Sequence, residues 1–182
     1  MIIALTGTPG TGKTSISALL EMHYRIIDLN ALIKKEGLHT GEDEQRGSLE
    51  VDIDVLQVRV DELVKDETAT VIIEGHLSHL LTGIDALIVL RTRPSVLAQR
   101  LANRGYPKEK VQENMEAEAL DVILVETVER HERVYEVETT LTTPDDVARE
   151  IRQMIQSIEF GDHEQLNGYL PGRFDWSEEV FG

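Results

Sequence analysis

The sequence contains no cysteine and no long apolar run. Because none of its 182 residues carries a thiol, disulfide bonds, zinc–thiolate sites and cysteine nucleophiles are excluded. No segment approaches the roughly 18 consecutive apolar residues of a membrane helix. The first strand-like run begins at residue 2, which leaves no room for a signal peptide. We therefore expect a cytoplasmic protein that does not associate with a membrane.

Basic residues are also scarce. The 18 lysines and arginines are outnumbered by 34 acidic residues, which gives a formal net charge of −16. Nucleic acids and anionic membranes attract basic surfaces, so this balance argues against direct, general nucleic-acid binding. The acidity fits either a salty cytoplasm or simple solubility, and the sequence does not separate the two.

Length and patterning predict one α/β domain over residues 1–182 with a hydrophobic fraction of 41%. Apolar runs alternate with helical segments, which predicts a parallel sheet with helices on both faces and ligands at the carboxyl ends of its strands. The predicted strands are Ile2–Thr6, Arg25–Asp28, Thr70–Glu74, Ala86–Arg91 and Val134–Thr139, and the predicted helices are Ser15–His23, Leu49–Lys65, Pro94–Arg104, Lys108–Glu132 and Pro144–Ile155.

A glycine-rich segment carries the strongest chemical signal. Residues 7–14 read GTPGTGKT, which fits the P-loop pattern G-x-x-x-x-G-K-[ST] between a predicted strand and a predicted helix. The glycines let backbone N–H groups surround phosphate oxygens, and the helix N-terminus favours negative charge. Lys13 would reach the β- and γ-phosphates, and the Thr14 hydroxyl would ligate Mg²⁺. The alternative is a plain glycine turn, which this context disfavours.

An acid and a histidine follow the third predicted strand. Glu74, at the end of Val71-Ile72-Ile73-Glu74, could hold a metal-bound water. His76 could orient a water or contact phosphate, or it could be an ordinary structural histidine. His79 has a weaker claim to either role.

Positive charge is concentrated in residues 91–110. This window contains six basic residues and one acidic residue, so it carries a formal charge of +5 and the rest of the chain carries −21. Such an island predicts a polyphosphate site, with a solvated helix face as the alternative. Within it, Arg104-Gly105-Tyr106-Pro107 interrupts two helices, which is typical of a lid closing over phosphate. Arg104 is the candidate transition-state arginine, and the alternative is a surface cation. The six are Arg91, Arg93, Arg100, Arg104, Lys108 and Lys110.

The C-terminal segment, residues 159–182, has a composition of its own. It contains all three phenylalanines and the only tryptophan, Trp176, together with several glycines and Pro171. Because glycine and proline interrupt helices and strands, this composition predicts no regular secondary structure. The segment either lies back over the domain and buries its rings or binds a partner through them.

These features together resemble the small adenylate kinases of the isoenzyme-six type, found in archaea and in eukaryotic nuclei. The resemblance covers roughly residues 1–157. It rests on GTPGTGKT, on Glu74-Gly75-His76 and above all on the run QRLANRGYPKEKVQENMEAE. It implies a P-loop NTPase fold with a five-stranded sheet, a monophosphate-binding insertion near residues 28–51 and a short lid near residues 103–113.

The resemblance also implies an activity: Mg²⁺-dependent transfer of phosphate from ATP to AMP, which yields two ADP, together with ATP hydrolysis. Eukaryotic members also act in maturation of the small ribosomal subunit, here with 16S rRNA, and bind a small-subunit ribosomal protein. An ATPase of that kind is the alternative function, and an acidic chain would attract such a basic partner. A kinase for another small acceptor is a third, weaker hypothesis.

The resemblance assigns roles to individual residues. Glu74 replaces the family's usual Asp, Lys34 stands for an arginine that would contact AMP, and Thr143 replaces a lysine that contacts ATP. The expected catalytic residues are Lys13, Arg104, Glu74 and His76, and the expected ATP contacts are Gly10, Thr11, Gly12, Lys13, Thr14, Ser15 and Arg104.

Overall fold

A five-stranded parallel sheet forms the centre of the chain. A computed structural model describes residues 1–43 and 48–181. The strand order is β2-β5-β1-β6-β7, which confirms the predicted fold class. The strands of this sheet are β1 Ile2–Thr6, β2 Arg25–Asp28, β5 Val71–Glu74, β6 Ala86–Arg91 and β7 Val134–Glu138, while β3 Gly41–Asp43 and β4 Ser48–Glu50 form a separate antiparallel pair.

Helices cover both faces of the sheet. Ile3 and Ile72 pack into one core, whereas Ile73 and Val89 face the opposite side. This alternation explains the near-continuous apolar runs, because successive positions of the central strands meet helices on opposite faces of the sheet. α1 Lys13–Leu20 and α7 Pro144–Phe160 cover the first face, and α2 Leu29–Glu36, α3 Ile53–Val64 and α6 Val122–Arg130 cover the second.

The predicted helix Lys108–Glu132 is wrong, because the segment forms two helices. α5 covers Lys108–Ala119, and α6 begins at Val122. Between them Asp121 adopts a left-handed conformation, φ 56°, which aspartate tolerates better than most residues. Its carboxylate pairs with the buried Arg91, so a tertiary contact holds the break. The break also changes the buried face. Val122 and Val125 are exposed, whereas Leu124 and Thr127 are buried.

The predicted helix Leu49–Lys65 begins too early. Leu49 belongs to β4, and α3 starts after Asp52, whose Oδ1 accepts from the N–H groups of Asp54 and Val55 at 3.0 and 3.3 Å. This is an N-cap, and it stabilises the first turn of the helix. Within α3, Val55 is exposed, as is Val58 one turn later.

The remaining helix ends differ by a few residues. α1 starts at Lys13 because Gly12, with φ 102°, is its N-cap. α7 continues to Phe160, where Gly161 at φ 70° ends it, a common C-terminal arrangement. α4 Pro94–Asn103 starts at the predicted proline.

The C-terminal segment lies against β7. The backbone N–H groups of Gly172 and Arg173 donate to Glu136 Oε2 at 2.9 and 3.0 Å. Trp176 is buried and stacks on Phe174 with ring centroids 5.2 Å apart. The prediction of no regular element is wrong for two short helices, α8 His163–Leu166 and α9 Glu178–Phe181. Within residues 1–43 and 48–181, no helix combines the length and apolar character needed to cross a membrane.

Candidate active site

Glycines shape the loop that joins β1 to α1. Gly7 has φ 139°, and a Cβ there would lie 2.5 Å from the Leu90 carbonyl oxygen. Gly10 has φ 98°, and a Cβ there would lie 2.9 Å from Leu97 Cδ1. Only glycine therefore lets this loop turn tightly beneath the N-terminus of α1. Gly12, Lys13, Thr14 and Ser15, at the start of α1, line a cavity beside this loop, and the N–H groups of a first helical turn, which lack partners within the helix, bind phosphate.

Lys13 is buried beside this loop. Its Nζ donates to the carbonyl oxygens of Gly7 and Thr8 at 2.7 and 3.1 Å. Burial lowers the pKa of Lys13 to about 8, although the carboxylates of Glu74 and Glu118 act to raise it. The ammonium group is therefore still mostly protonated at neutral pH. It places a desolvated positive charge at the loop, where phosphate oxygens would meet it.

Glu74 ends β5 and is 1% exposed. Burial raises the pKa of its carboxyl group and Asp28 raises it further, while Lys13 and a hydrogen bond from Thr14 oppose the shift. The Thr14 hydroxyl donates to Glu74 Oε1 over a long 3.5 Å. Glu74 Oε2 is buried, with no hydrogen-bond partner among residues 1–43 and 48–181.

These oxygens fit Mg²⁺. This ion takes hard oxygen ligands and is usually held by one or two protein groups, with waters and substrate phosphates completing the octahedron. Thr14 would contribute its hydroxyl directly, and the unpaired Glu74 Oε2 would accept from a metal-bound water. When bound, Mg²⁺ would neutralise charge on the phosphates.

Two cavities meet at the loop. The first, about 370 Å³, contains Asn30 and Tyr106 besides most of the predicted site residues. The second, about 360 Å³, shares Gly10, Gly12 and Ser15 with the first and reaches Thr142 and Pro144. Arg104 lines both cavities. Of the predicted residues, Gly10, Gly12, Lys13, Thr14, Ser15, Lys34, Glu74, His76 and Arg104 line the first cavity, and Gly10, Thr11, Gly12, Ser15 and Arg104 line the second.

Comparison with known proteins identifies the family. The family model described as "AAA domain" matches residues 3–121. A protein from Methanosarcina acetivorans named "Putative adenylate kinase" is 46% identical over 187 residues, covering 99% of this chain and 100% of that protein. The protein of the same name from Pyrococcus abyssi is 42% identical over 180 residues, covering 98% and 92%. The chain belongs to this archaeal family. The family predicted from the motifs is thereby confirmed.

Solved structures show the same fold as this archaeal family member. Shikimate kinase from Bacteroides thetaiotaomicron aligns with a TM-score of 0.53 at 17% identity, covering 86% of this chain and 98% of that one. A gluconokinase from Sinorhizobium meliloti aligns with a TM-score of 0.50 at 20% identity, covering 88% and 97%. At such identities the similarity shows the fold alone, that of P-loop kinases.

The basic island of this family member is divided between structural and site residues. Arg91 is buried, and its guanidinium pairs with three carboxylates instead of lining a cavity. Arg93 pairs with Glu179 at 3.2 Å. Arg100 donates to the Thr140 carbonyl oxygen at 3.2 Å and borders the second cavity. The basic island is therefore not uniform: Arg91 belongs to the buried interior, whereas Arg100 and Arg104 border the cavities beside the loop.

The predicted monophosphate-binding segment is partly described. α2 places Asn30, Ile33 and Lys34 on the first cavity, with Val51 across from them. Asn30 had no signal in the sequence, because nothing in its local pattern separates it from other helix-surface residues. Residues 44–47, which belong to the insertion predicted near residues 28–51, lie outside the described residues. Thr143 caps α7, and its Oγ1 accepts from the Asp146 N–H at 3.2 Å.

His76 is expected to stay neutral through the physiological range. Burial lowers its pKa from the ordinary 6.5 to about 4, and the charges of Lys13 and Lys110 act in the same direction. The unfolded chain binds a proton at His76 below pH 6.5 and the folded chain does not, so stability at this site falls as pH drops from 6.5 to 4. NMR titration, with His76→Gln to assign the resonance, measures the pKa directly. A pKa at or above 6.5 would contradict this account.

Proposed function

We propose that this chain is a Mg²⁺-dependent adenylate kinase, which converts ATP and AMP into two molecules of ADP. The observation that carries the proposal is the pair of cavities meeting at one phosphate loop. A kinase for two nucleotides needs two sites whose phosphates converge, whereas a hydrolase needs only one nucleotide site and a water. The printed names of the archaeal relatives support the same assignment.

Each cavity suits one nucleotide. The second cavity, bordered by Arg100, Thr142 and Pro144, would hold the base and ribose of ATP, with the triphosphate passing over the loop toward Lys13. The first cavity extends from Lys13 past Lys34 and Asn30, and it would hold AMP with its phosphate near Lys34. Volumes of about 370 and 360 Å³ lie within the usual range for small-molecule sites.

The chemistry requires positioning and charge rather than covalent catalysis. An oxygen of the AMP phosphate attacks the γ-phosphorus of ATP, the bond to the β–γ bridging oxygen breaks, and its electrons leave with ADP. Lys13 and the N–H groups of Gly10 through Thr14 would hold the β-phosphate and the transferred group. Arg104, which lines both cavities, would stabilise charge between the two nucleotides. Glu74 would orient the water shell of Mg²⁺, and His76, being neutral, would contact phosphate or water by hydrogen bonding.

A second candidate is an assembly ATPase of small-subunit maturation that hydrolyses ATP in response to a small-subunit ribosomal protein. The formal net charge of −16 favours it, because an acidic surface attracts a basic protein. In this alternative, water accepts the phosphoryl group and AMP turnover is incidental. The cytoplasmic location expected from the sequence is common to both candidates.

Initial rates of ADP formation separate these functions. We expect AMP to stimulate ADP formation strongly, with other monophosphates, shikimate and gluconate giving little. Stimulation only by a basic small-subunit ribosomal protein would favour the assembly ATPase, and stimulation by another small acceptor would identify a different kinase.

Lys34 provides a sharper test of the AMP site. Lys34→Gln removes a charge that lines the first cavity, so the KM for AMP should rise about tenfold or more, the effect of one lost charged contact. Lys35→Gln removes the same charge from the next residue of α2, which is not among the residues that line the first cavity, and should leave that KM unchanged. Equal effects of the two substitutions would contradict the placement of AMP.

A further inference from the structure

Glu118 is a buried carboxylate that the proposed chemistry does not use. It lies near the end of α5 and is 3% exposed. Its Oε1 accepts from Arg91 Nε at 3.0 Å and from the backbone N–H of Thr92 at 3.0 Å. Its Oε2 accepts from the hydroxyl of Thr8, a residue of the phosphate loop. One side chain therefore connects α5, the end of β6 and the loop.

Thr8 links this carboxylate to Lys13. The Thr8 carbonyl oxygen accepts from Lys13 Nζ at 3.1 Å, from Thr11 Oγ1 at 2.9 Å and from the Thr11 N–H at 3.2 Å. Its hydroxyl donates to Glu118 Oε2. Holding the Thr8 side chain therefore holds the carbonyl oxygen that orients the ammonium group of Lys13.

Charge neutralisation of Arg91 alone does not require Glu118. Arg91 also pairs with Glu136 and Asp121, so a single guanidinium faces three carboxylates. Two of them lie toward β7 and the start of α6, whereas Glu118 extends to the phosphate loop. Its charge also acts on Lys13, since Glu118 is among the groups that raise the pKa of that lysine.

α5 also links Glu118 to the lid. The helix begins at Lys108, directly after the Arg104–Pro107 connection, and about 15 Å of rigid helix separates its first residue from Glu118. A shift of the lid that moves α5 therefore moves the carboxylate that holds Thr8.

We propose that Glu118 is a positioning residue for phosphoryl transfer, which fixes Thr8 and through it Lys13, and so couples the lid helix α5 to the phosphate loop. The inference rests on the proposed kinase function for its kinetic consequences. Its structural part, the hold of Glu118 on the loop through Thr8, applies to any triphosphate bound there.

A double-mutant cycle tests the coupling. Glu118→Gln, Thr8→Val and the double variant are compared with Glu113→Gln, which removes the same charge from an exposed position of the same helix. We expect Glu118→Gln and Thr8→Val each to lower kcat about 10- to 100-fold, as for a lost charge-assisted hydrogen bond. The KM for AMP should change less than twofold. The double variant should be no slower than the slower single variant, and Glu113→Gln should match the wild type.

Binding of a fluorescent ATP analogue to the same variants separates this inference from the proposed function. Absence of AMP-stimulated turnover in the wild-type protein would overturn the kinase proposal, whereas non-additive losses of analogue affinity would still support the Glu118–Thr8 coupling. Multiplicative losses in the double variant, or wild-type kcat and affinity in a folded Glu118→Gln variant, would overturn the inference. Thermal unfolding of all four variants verifies that the losses of kcat do not come from losses of folding stability.

Discussion

Replacing Lys13 with alanine is expected to reduce ADP formation by about three orders of magnitude. The ammonium group lies where the β- and γ-phosphates would meet the loop, and charge on the transferred phosphoryl group has to be stabilised there. Its pKa is lowered to about 8, chiefly by burial, because the folded protein holds this charge away from water. The electrostatic effect of a charge is strongest where water is excluded. Initial-rate measurements with saturating ATP and AMP determine the loss.

The same substitution should leave the fold intact. Lys13 Nζ bonds only to two carbonyl oxygens of its own loop among the described residues, so its loss removes no long-range contact. Lys13→Met is the matched control, because it keeps the aliphatic chain and removes only the charge. We expect both variants to unfold near the wild-type temperature and both to be inactive. Turnover at the wild-type rate in either variant would contradict the role of this site in phosphoryl transfer.

Replacing Arg91 with methionine is expected to lower the free energy of unfolding by about 3–5 kcal/mol, the usual cost of removing one partner from a buried ion pair. Arg91 is 1% exposed and pairs with Glu118, Asp121 and Glu136. Without the guanidinium, three partly or fully buried carboxylates would remain close together and uncompensated. Equilibrium unfolding in denaturant measures the change.

Arg93→Met is the control for this experiment. The Arg93 side chain is 53% exposed and pairs with Glu179 at 3.2 Å, so its loss should cost less than about 1 kcal/mol. Fluorescence adds a local signal, because the Arg91 guanidinium lies 5.2 Å from the ring centroid of the only tryptophan, Trp176. We expect a shifted emission in Arg91→Met but not in Arg93→Met. Equal stability losses in the two variants would contradict a structural role for Arg91.

The sheet was predictable because its signals are local. The strand at residues 86–91 is buried at every position, and a continuous apolar run of that length is typical of a parallel strand covered on both faces. The break at Asp121 was not predictable, because it depends on an ion pair with Arg91, thirty residues away. The pattern around Asp121 alone continues a helix, and only the folded chain supplies the partner that favours the break.

The residues of the candidate site likewise differ in how well the sequence predicts them. Lys13 and Thr14 follow from a contiguous motif whose backbone geometry is specified by its own glycines, and Glu74 follows from the end of a buried strand. Arg91 was misassigned to a phosphate-binding surface, because sequence spacing does not reveal that it points into the interior toward Glu136. Glu118 contacts Thr8 across 110 residues of sequence, so no local pattern assigns it to the phosphate loop.

AMP, rather than water, is the expected acceptor of the phosphoryl group that the loop at residues 7–14 would bind. The most direct measurement is a single turnover with ATP labelled in its γ-phosphate, with unlabelled AMP and Mg²⁺ present. We expect the label to appear in the β-phosphate of newly formed ADP, with little free phosphate, and Lys13→Ala to slow this transfer by about three orders of magnitude. Release of the label as inorganic phosphate, at a rate that does not depend on AMP, would contradict this expectation.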